Sequence, residues 1–178
     1  MRKINLQKVA FSFGSLLILL GLVYVVVNHY QNYTPVQIGE EAPNIQTTTV
    51  NGKAFTLASL RGKPILLNFF TPWCPPCIEE TPDLIAFANQ YGNKVHVVMI
   101  DRGDGVGLVQ QYVKKYHLPK RIMILLSPYD KWSPRYGVTG QPETFFITST
   151  GIVKKHLIGP LAESQMIDYA KTVGLNVH

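Results

Sequence analysis

The chain has only two cysteines among its 178 residues, Cys74 and Cys77. That scarcity excludes the disulfide-dense scaffolds that stand in for a hydrophobic core in small exported domains. Two thiols are also too few ligands for a structural zinc site, and the histidines at 29, 96, 117, 156 and 178 share no metal spacing. No metal or other cofactor is therefore expected. No Lys/Arg-rich run with interleaved aromatics occurs, so nothing in the sequence asks for a nucleic acid partner. Internal repeats and low-complexity tracts are absent too, which excludes solenoids and arrays. Charge is missing altogether from Val9 to Val27, nineteen residues dense in Leu, Val and Phe, close to the length a bilayer requires. After this run comes no small-x-small cleavage pattern, since the chain reads Val25-Val26-Val27-Asn28-His29, and no cysteine follows directly to carry a lipid. A cleaved signal peptide would also have a shorter apolar core.

The run is expected to be an uncleaved membrane anchor. Arg2, Lys3 and Lys8 precede it, which holds the N-terminus in the cytoplasm and sends the rest of the chain outside. The net charge of +6 (17 − 11) then falls to 14 − 11 = +3 for the remainder, because those three bases have no acid beside them. The expected organisation is a cytoplasmic tip and single anchor over 1–30, a polar connector over 31–40, and one extracytoplasmic domain over 41–178. The last is long enough for a single core.

Within that domain both cysteines fall where an apolar strand turns into a helix. Ile65 to Phe70 (I-L-L-N-F-F) follows the turn signal Arg61-Gly62-Lys63-Pro64 and has the length and composition of a buried strand. Proline is favoured in the first helical turn, where its missing N–H would have no partner anyway, so Pro75 and Pro76 start a helix with Cys74 at its N-cap. The positive end of the helix dipole and its free amides favour a thiolate there, lowering the pKa of Cys74 below the ordinary value of about 8.5. The two prolines remove two amides, leaving the Cys77 N–H as the donor, so the lowering is expected to be moderate. Cys74 is thus the candidate attacking thiol, and Cys77, two residues beyond, the candidate resolving thiol. The plainer alternative is a structural disulfide. The stabilisation of such a bridge grows with the logarithm of loop length, so a bridge this short gains little, which favours redox chemistry.

The rest reads as strands alternating with helices. Asn44–Val50 and Lys53–Leu57 form a hairpin around Asn51-Gly52. A helix over 75–91 buries Leu84, Ile85 and Ala88 and ends at Gly92. Val95–Ile100 is a buried strand. A helix over 107–117 puts Val109, Tyr112, Val113 and Tyr116 on one face and stops before Pro119. Ile122–Leu126 is another strand, Thr144–Thr148 and Ile152–Ile158 an antiparallel pair, and Leu161–Val173 a closing helix with Met166, Ile167 and Ala170 inward. The expected class is α/β, a mixed sheet between helices, with ligands at the carboxyl ends of the strands.

Trp73-Cys74-Pro75-Pro76-Cys77, Pro82 and Glu80, together with Tyr136-Gly137-Val138-Thr139-Gly140-Gln141-Pro142-Glu143-Thr144-Phe145, resemble the thioredoxin-like superfamily. More closely, they resemble its membrane-tethered thiol-disulfide oxidoreductases of cytochrome c maturation, the TlpA/ResA/DsbE-like family. The resemblance covers roughly residues 40 to 175. It implies a thioredoxin-like fold with an N-terminal β-hairpin extension and an inserted helix over 107–117. It also implies a cis Gln141-Pro142 bond beside the active site and an acidic residue, Glu80, three places after the second cysteine. The family follows this strand with Asp and a Gly-containing turn, whereas Thr148-Ser149-Thr150-Gly151 stands here and leaves the turn intact.

A cis Gln141-Pro142 bond would present the Gln141 N–H and C=O to an extended peptide. Glu143 is expected beside that groove, and Trp73 on the docking face. Glu80, desolvated beneath the cysteines, is expected to hold a raised pKa and to oppose a second negative charge on the thiols. The family implies reduction of the haem-site disulfide of apocytochrome c, recharged by a membrane thiol-transporting donor, in a monomer. A broader reductase or oxidase of envelope or spore proteins is the alternative. A copper chaperone on the same fold is disfavoured because its C-x-x-x-C spacing is absent, and a peroxiredoxin because Leu67 stands where its proline belongs.

Overall fold

The computed structural model describes residues 6–31 and 34–177, with the side chains of 6–13 and 29–31 outside the description. Arg2 and Lys3 of the expected cytoplasmic tip lie outside the described residues. The chain divides into two compact units, 1–34 and 35–178. The first contains helix α1 (Leu6–Gln31), whose apolar side chains from Leu16 to Val27 are exposed in the isolated chain. Among the described residues no helix is long and apolar enough to cross a membrane. Residues 9–13 of the expected anchor belong to the stretch whose side chains are not described.

In the second unit, β1 (Gln46–Thr48) and β2 (Ala54–Thr56) form the hairpin expected around Asn51-Gly52, shorter at both ends than the apolar pattern suggested. A single 3₁₀ turn over Leu57–Leu60 follows. The main sheet has the order β5-β4-β3-β6-β7. Its members are β3 (Ile65–Phe70), β4 (His96–Asp101), β5 (Ile122–Leu125), β6 (Glu143–Ile147) and β7 (Val153–Ile158). β3, β4 and β5 are parallel neighbours, while β6 runs antiparallel to both β3 and β7. The helices are α2 (Pro75–Tyr91), α3 (Val106–Lys115), the short α4 (Ser133–Tyr136) and α5 (Glu163–Lys171).

Alternation along the strands divides the core in two, because successive side chains on a strand point to opposite faces. Leu66, Phe70, Val97, Met99 and Phe146 pack with Leu84, Phe87, Val109, Tyr112 and Met166 from α2, α3 and α5. Ile65, Leu67, Phe69, Val98, Ile100 and Phe145 pack on the other face with Leu57, Leu60 and Tyr136. Every residue of β3 is buried, as a central strand covered on both faces must be. Residues 35–40, expected as a connector, are stitched to this unit. Val36 N–H donates to Arg135 O at 3.0 Å, and Gly39 N–H to Val153 O at 2.8 Å. Their polar composition signalled exposure but not these backbone bonds.

Candidate active site

β3 ends at Phe70 and α2 begins at Pro75, and the short turn between them brings Cys74 to the N-cap of α2. The Cys77 N–H donates to the Cys74 Sγ at 3.4 Å, the one amide of the first turn that the two prolines leave for it. Cys74 S–H points at the Gln141 carbonyl, 3.7 Å away. Both cysteines are free thiols and nearly closed to solvent, 3% and 1% exposed. Exposure therefore does not distinguish them, but electrostatics does. Burial, then the hydrogen bond and charge of Cys74 and the charge of Glu80, push the Cys77 thiol far above its ordinary range.

Glu80 is 2% exposed, one helical turn beyond Cys77 and turned inward. Asn68 Nδ2 donates to its Oε2 and the Leu161 N–H to its Oε1, each at 3.0 Å. Burial is the largest influence and pushes this carboxyl up to about 7, against the lowering effect of those two donors. Asn68 interrupts an otherwise apolar strand and also donates to Thr144 Oγ1 at 3.0 Å, so its amide links Glu80 to β6. On the far side, the Thr81 hydroxyl donates to the Cys77 carbonyl at 2.7 Å and meets the Tyr112 hydroxyl of α3.

The Gln141-Pro142 bond is cis, and this loop faces Cys74 through the Gln141 carbonyl. Arg102, just past β4, holds the loop in place. Its Nη1 donates to Gly140 O at 2.8 Å and to Gln141 Oε1 at 2.7 Å, while Nε and Nη2 reach Asp130 and Nε also reaches Ser133. Trp73 is exposed at the rim, its indole donating to Asp104 Oδ1 at 2.7 Å.

Glu143 departs from the expectation. It is wholly buried rather than lining the groove. Oε1 accepts the Thr139 and Gly140 N–H groups at 2.8 and 2.7 Å, and Oε2 lies 2.5 Å from His156 Nε2. The residue at this position starts β6 with its side chain on the sheet's inner face, so its carboxylate ties down the 139–140 backbone instead of meeting solvent.

Sequence reasoning missed Asp101, Arg102, Asp104 and Asn68. The signals were present. Asn68 is the one polar residue inside an apolar strand, which requires buried partners, and Asp101-Arg102-Gly103-Asp104 sits at the carboxyl end of a parallel strand, where such folds place their sites.

A dithiol at a helix N-terminus on this sheet, faced by a cis-proline loop, defines a thioredoxin-fold thiol-disulfide oxidoreductase. Residues 37–172 match the Redoxin family, and the chain belongs to it. Its nearer kin are of the TlpA/ResA/DsbE type. Thiol-disulfide oxidoreductase ResA of Bacillus thuringiensis (strain Al Hakam) is 32% identical over 163 residues, covering 89% of this chain and 92% of the relative. A secreted Mycobacterium tuberculosis disulfide oxidoreductase homologous to E. coli DsbE superposes with a TM-score of 0.64 at 31% identity, over 72% of this chain and 95% of that one. A thiol:disulfide interchange protein of Chlorobium tepidum TLS gives 0.68 at 27% identity, over 78% and 98%.

Proposed function

We propose that this chain reduces a disulfide in an exported protein, the haem-site disulfide of apocytochrome c, from a domain tethered outside the cytoplasmic membrane by Val9–Val27. Cys74 attacks one sulfur of the substrate disulfide, and the other leaves as a thiolate and takes up a proton. Cys77 then loses its proton and attacks Cys74 Sγ, releasing the second substrate thiol. Two electrons and two protons pass to the substrate, and the Cys74–Cys77 pair ends as a disulfide that a membrane thiol-transporting donor must reduce again.

The observation that carries this reading is the pairing of a deeply buried, high-pKa Cys77 with Glu80, a carboxyl that titrates near 7 and raises the Cys77 pKa by its charge. A resolving thiol so reluctant to ionise needs a base, and Glu80 is placed to accept its proton. The Gln141 backbone beside Cys74 suits strand-like pairing with an extended peptide, and exposed Trp73 supplies apolar contact at the rim.

Capture in cells provides the test. Cys77→Ser should accumulate a mixed disulfide through Cys74, and the trapped protein should be apocytochrome c held by a haem-site cysteine. Capture of envelope or spore proteins instead would replace this substrate with a broader one. No adduct from Cys77→Ser, or the same adduct from Cys74→Ser, would remove Cys74 from its role.

A further inference from the structure

The turn after β4 contains an acid pair that the dithiol chemistry does not use. Asp101 is 1% exposed, and its Oδ2 accepts the Gly103 and Asp104 N–H groups at 3.0 Å each. Its Oδ1 and the Oδ2 of Asp104 are both buried, and neither meets any donor elsewhere in the described structure. The two carboxyls hydrogen-bond to each other. Two facing carboxylate oxygens repel unless a proton lies between them, since a carboxylate only accepts. The other oxygen of Asp104, Oδ1, accepts the Trp73 indole N–H. Trp73 is 61% exposed, so this one bond is its polar tie to the fold.

We propose that Asp101 and Asp104 share a single proton, and that this pair is a positioning device that holds the Trp73 indole at the rim of the dithiol site. The consequence for substrate rests on the docking role given to Trp73 above. With the proton in place the turn is closed and the indole is held. When the proton passes to water, two buried carboxylates face each other. Gly103 and Gly105, at φ +100° and +86°, flank Asp104 with backbone free enough to let it swing away and release the indole.

Burial, and then the hydrogen bond and charge of Asp104, push Asp101 up to about 7, the range in which such a switch would operate. The other charged and titratable groups nearby have partners of their own. Arg102 is committed to Asp130, Gly140 and Gln141, Glu80 on α2 to Asn68 and Leu161, and Tyr112 on α3 to Thr81. Cys74 and Cys77 face Gln141 and each other.

The test follows the two indole N–H resonances of the nitrogen-15-labelled, reduced full chain in detergent micelles from pH 5 to 9, with Trp73→Phe to assign them and buried Trp132 as the internal reference. The Trp73 resonance should shift with a midpoint near 7 and exchange faster with water above it. Asp101→Asn, whose amide can donate to Asp104 at every pH, should abolish the transition and keep exchange slow. Asp104→Ala should give a solvent-like indole throughout, and Glu80→Gln should leave the transition in place. An unchanged transition in Asp101→Asn, its loss in Glu80→Gln, or a native protein with no transition would overturn the proposal. A second arm measures reduction of a disulfide peptide. KM should rise roughly threefold from pH 6 to 8 in the native chain and stay flat in Asp101→Asn. A flat KM in both with the indole transition intact would refute the docking role of Trp73 while leaving the shared proton standing.

Discussion

Glu80 keeps its proton up to about 7 rather than releasing it near 4.5, and burial is the main cause. A carboxyl whose folded pKa is raised favours folding while protonated. Its contribution is complete below about 4.5 and is lost as pH rises through about 7. Asp101, raised from 3.8 to about 7, acts in the same direction. The reduced protein should therefore melt lower at pH 8 than at pH 5, by roughly 5 °C, and Glu80→Gln should flatten that slope in calorimetry. The same substitution removes a negative charge that opposes the Cys77 thiolate, so thiolate absorbance should appear at lower pH while reduction of a haem-site peptide slows for want of a proton acceptor. Unchanged absorbance and unchanged rate together would reduce Glu80 to a structural residue. For the thiols themselves, the N-cap position of Cys74 and the raised pKa of Cys77 predict that iodoacetamide labels Cys74 first. Faster labelling of Cys77 would reverse their assignment.

Among the elements, the loop from Thr139 to Pro142 depends on side chains far from it in sequence or hidden beneath it. Glu143 satisfies two of its amides, and Arg102 binds Gly140 O and the Gln141 side chain. Glu143→Ala would leave buried donors and His156 without their acceptor, at a cost of about 2–3 kcal/mol. Chemical denaturation should show that loss. Because the loop faces Cys74, peptide reduction should weaken as well, and a variant with native stability and activity would show that the carboxylate bears no weight there. Element types were legible because period-2 and period-3.6 patterns are local, and α3 was recognised from Val109, Tyr112, Val113 and Tyr116. Its end was not. The helix stops at Lys115, and His117 takes a left-handed φ of 52° before Pro119. The short helices Pro128–Asp130 and Ser133–Tyr136 were read as loop, because three or four residues are too few to show a period.

For the whole molecule, the proposed tether makes a topological prediction. With basic residues on the cytoplasmic side, protease added to intact spheroplasts should release a soluble fragment beginning near the boundary at Thr34 and Pro35. A fragment protected until the membrane is opened would refute the orientation. Cleavage within residues 35–40 should be slow, since their backbone is bonded to Arg135 and Val153.

The sequence by itself determined the fold class, the dithiol and its place at a helix start, because these rest on local signals: an apolar strand, two prolines, and cysteines two residues apart. It also pointed to Glu80, since one helical turn from Cys77 is a short-range relation. The tertiary structure decided which polar groups are buried together. Glu143 turned inward because of its face on β6. Asn68 met Glu80 and Thr144 across strands, and the turn after β4 bound both Trp73 and Gln141. Such contacts join residues dozens of positions apart, and burial, which raises the pKa of Glu80 and Asp101, exists only once the sheet and helices have closed over them.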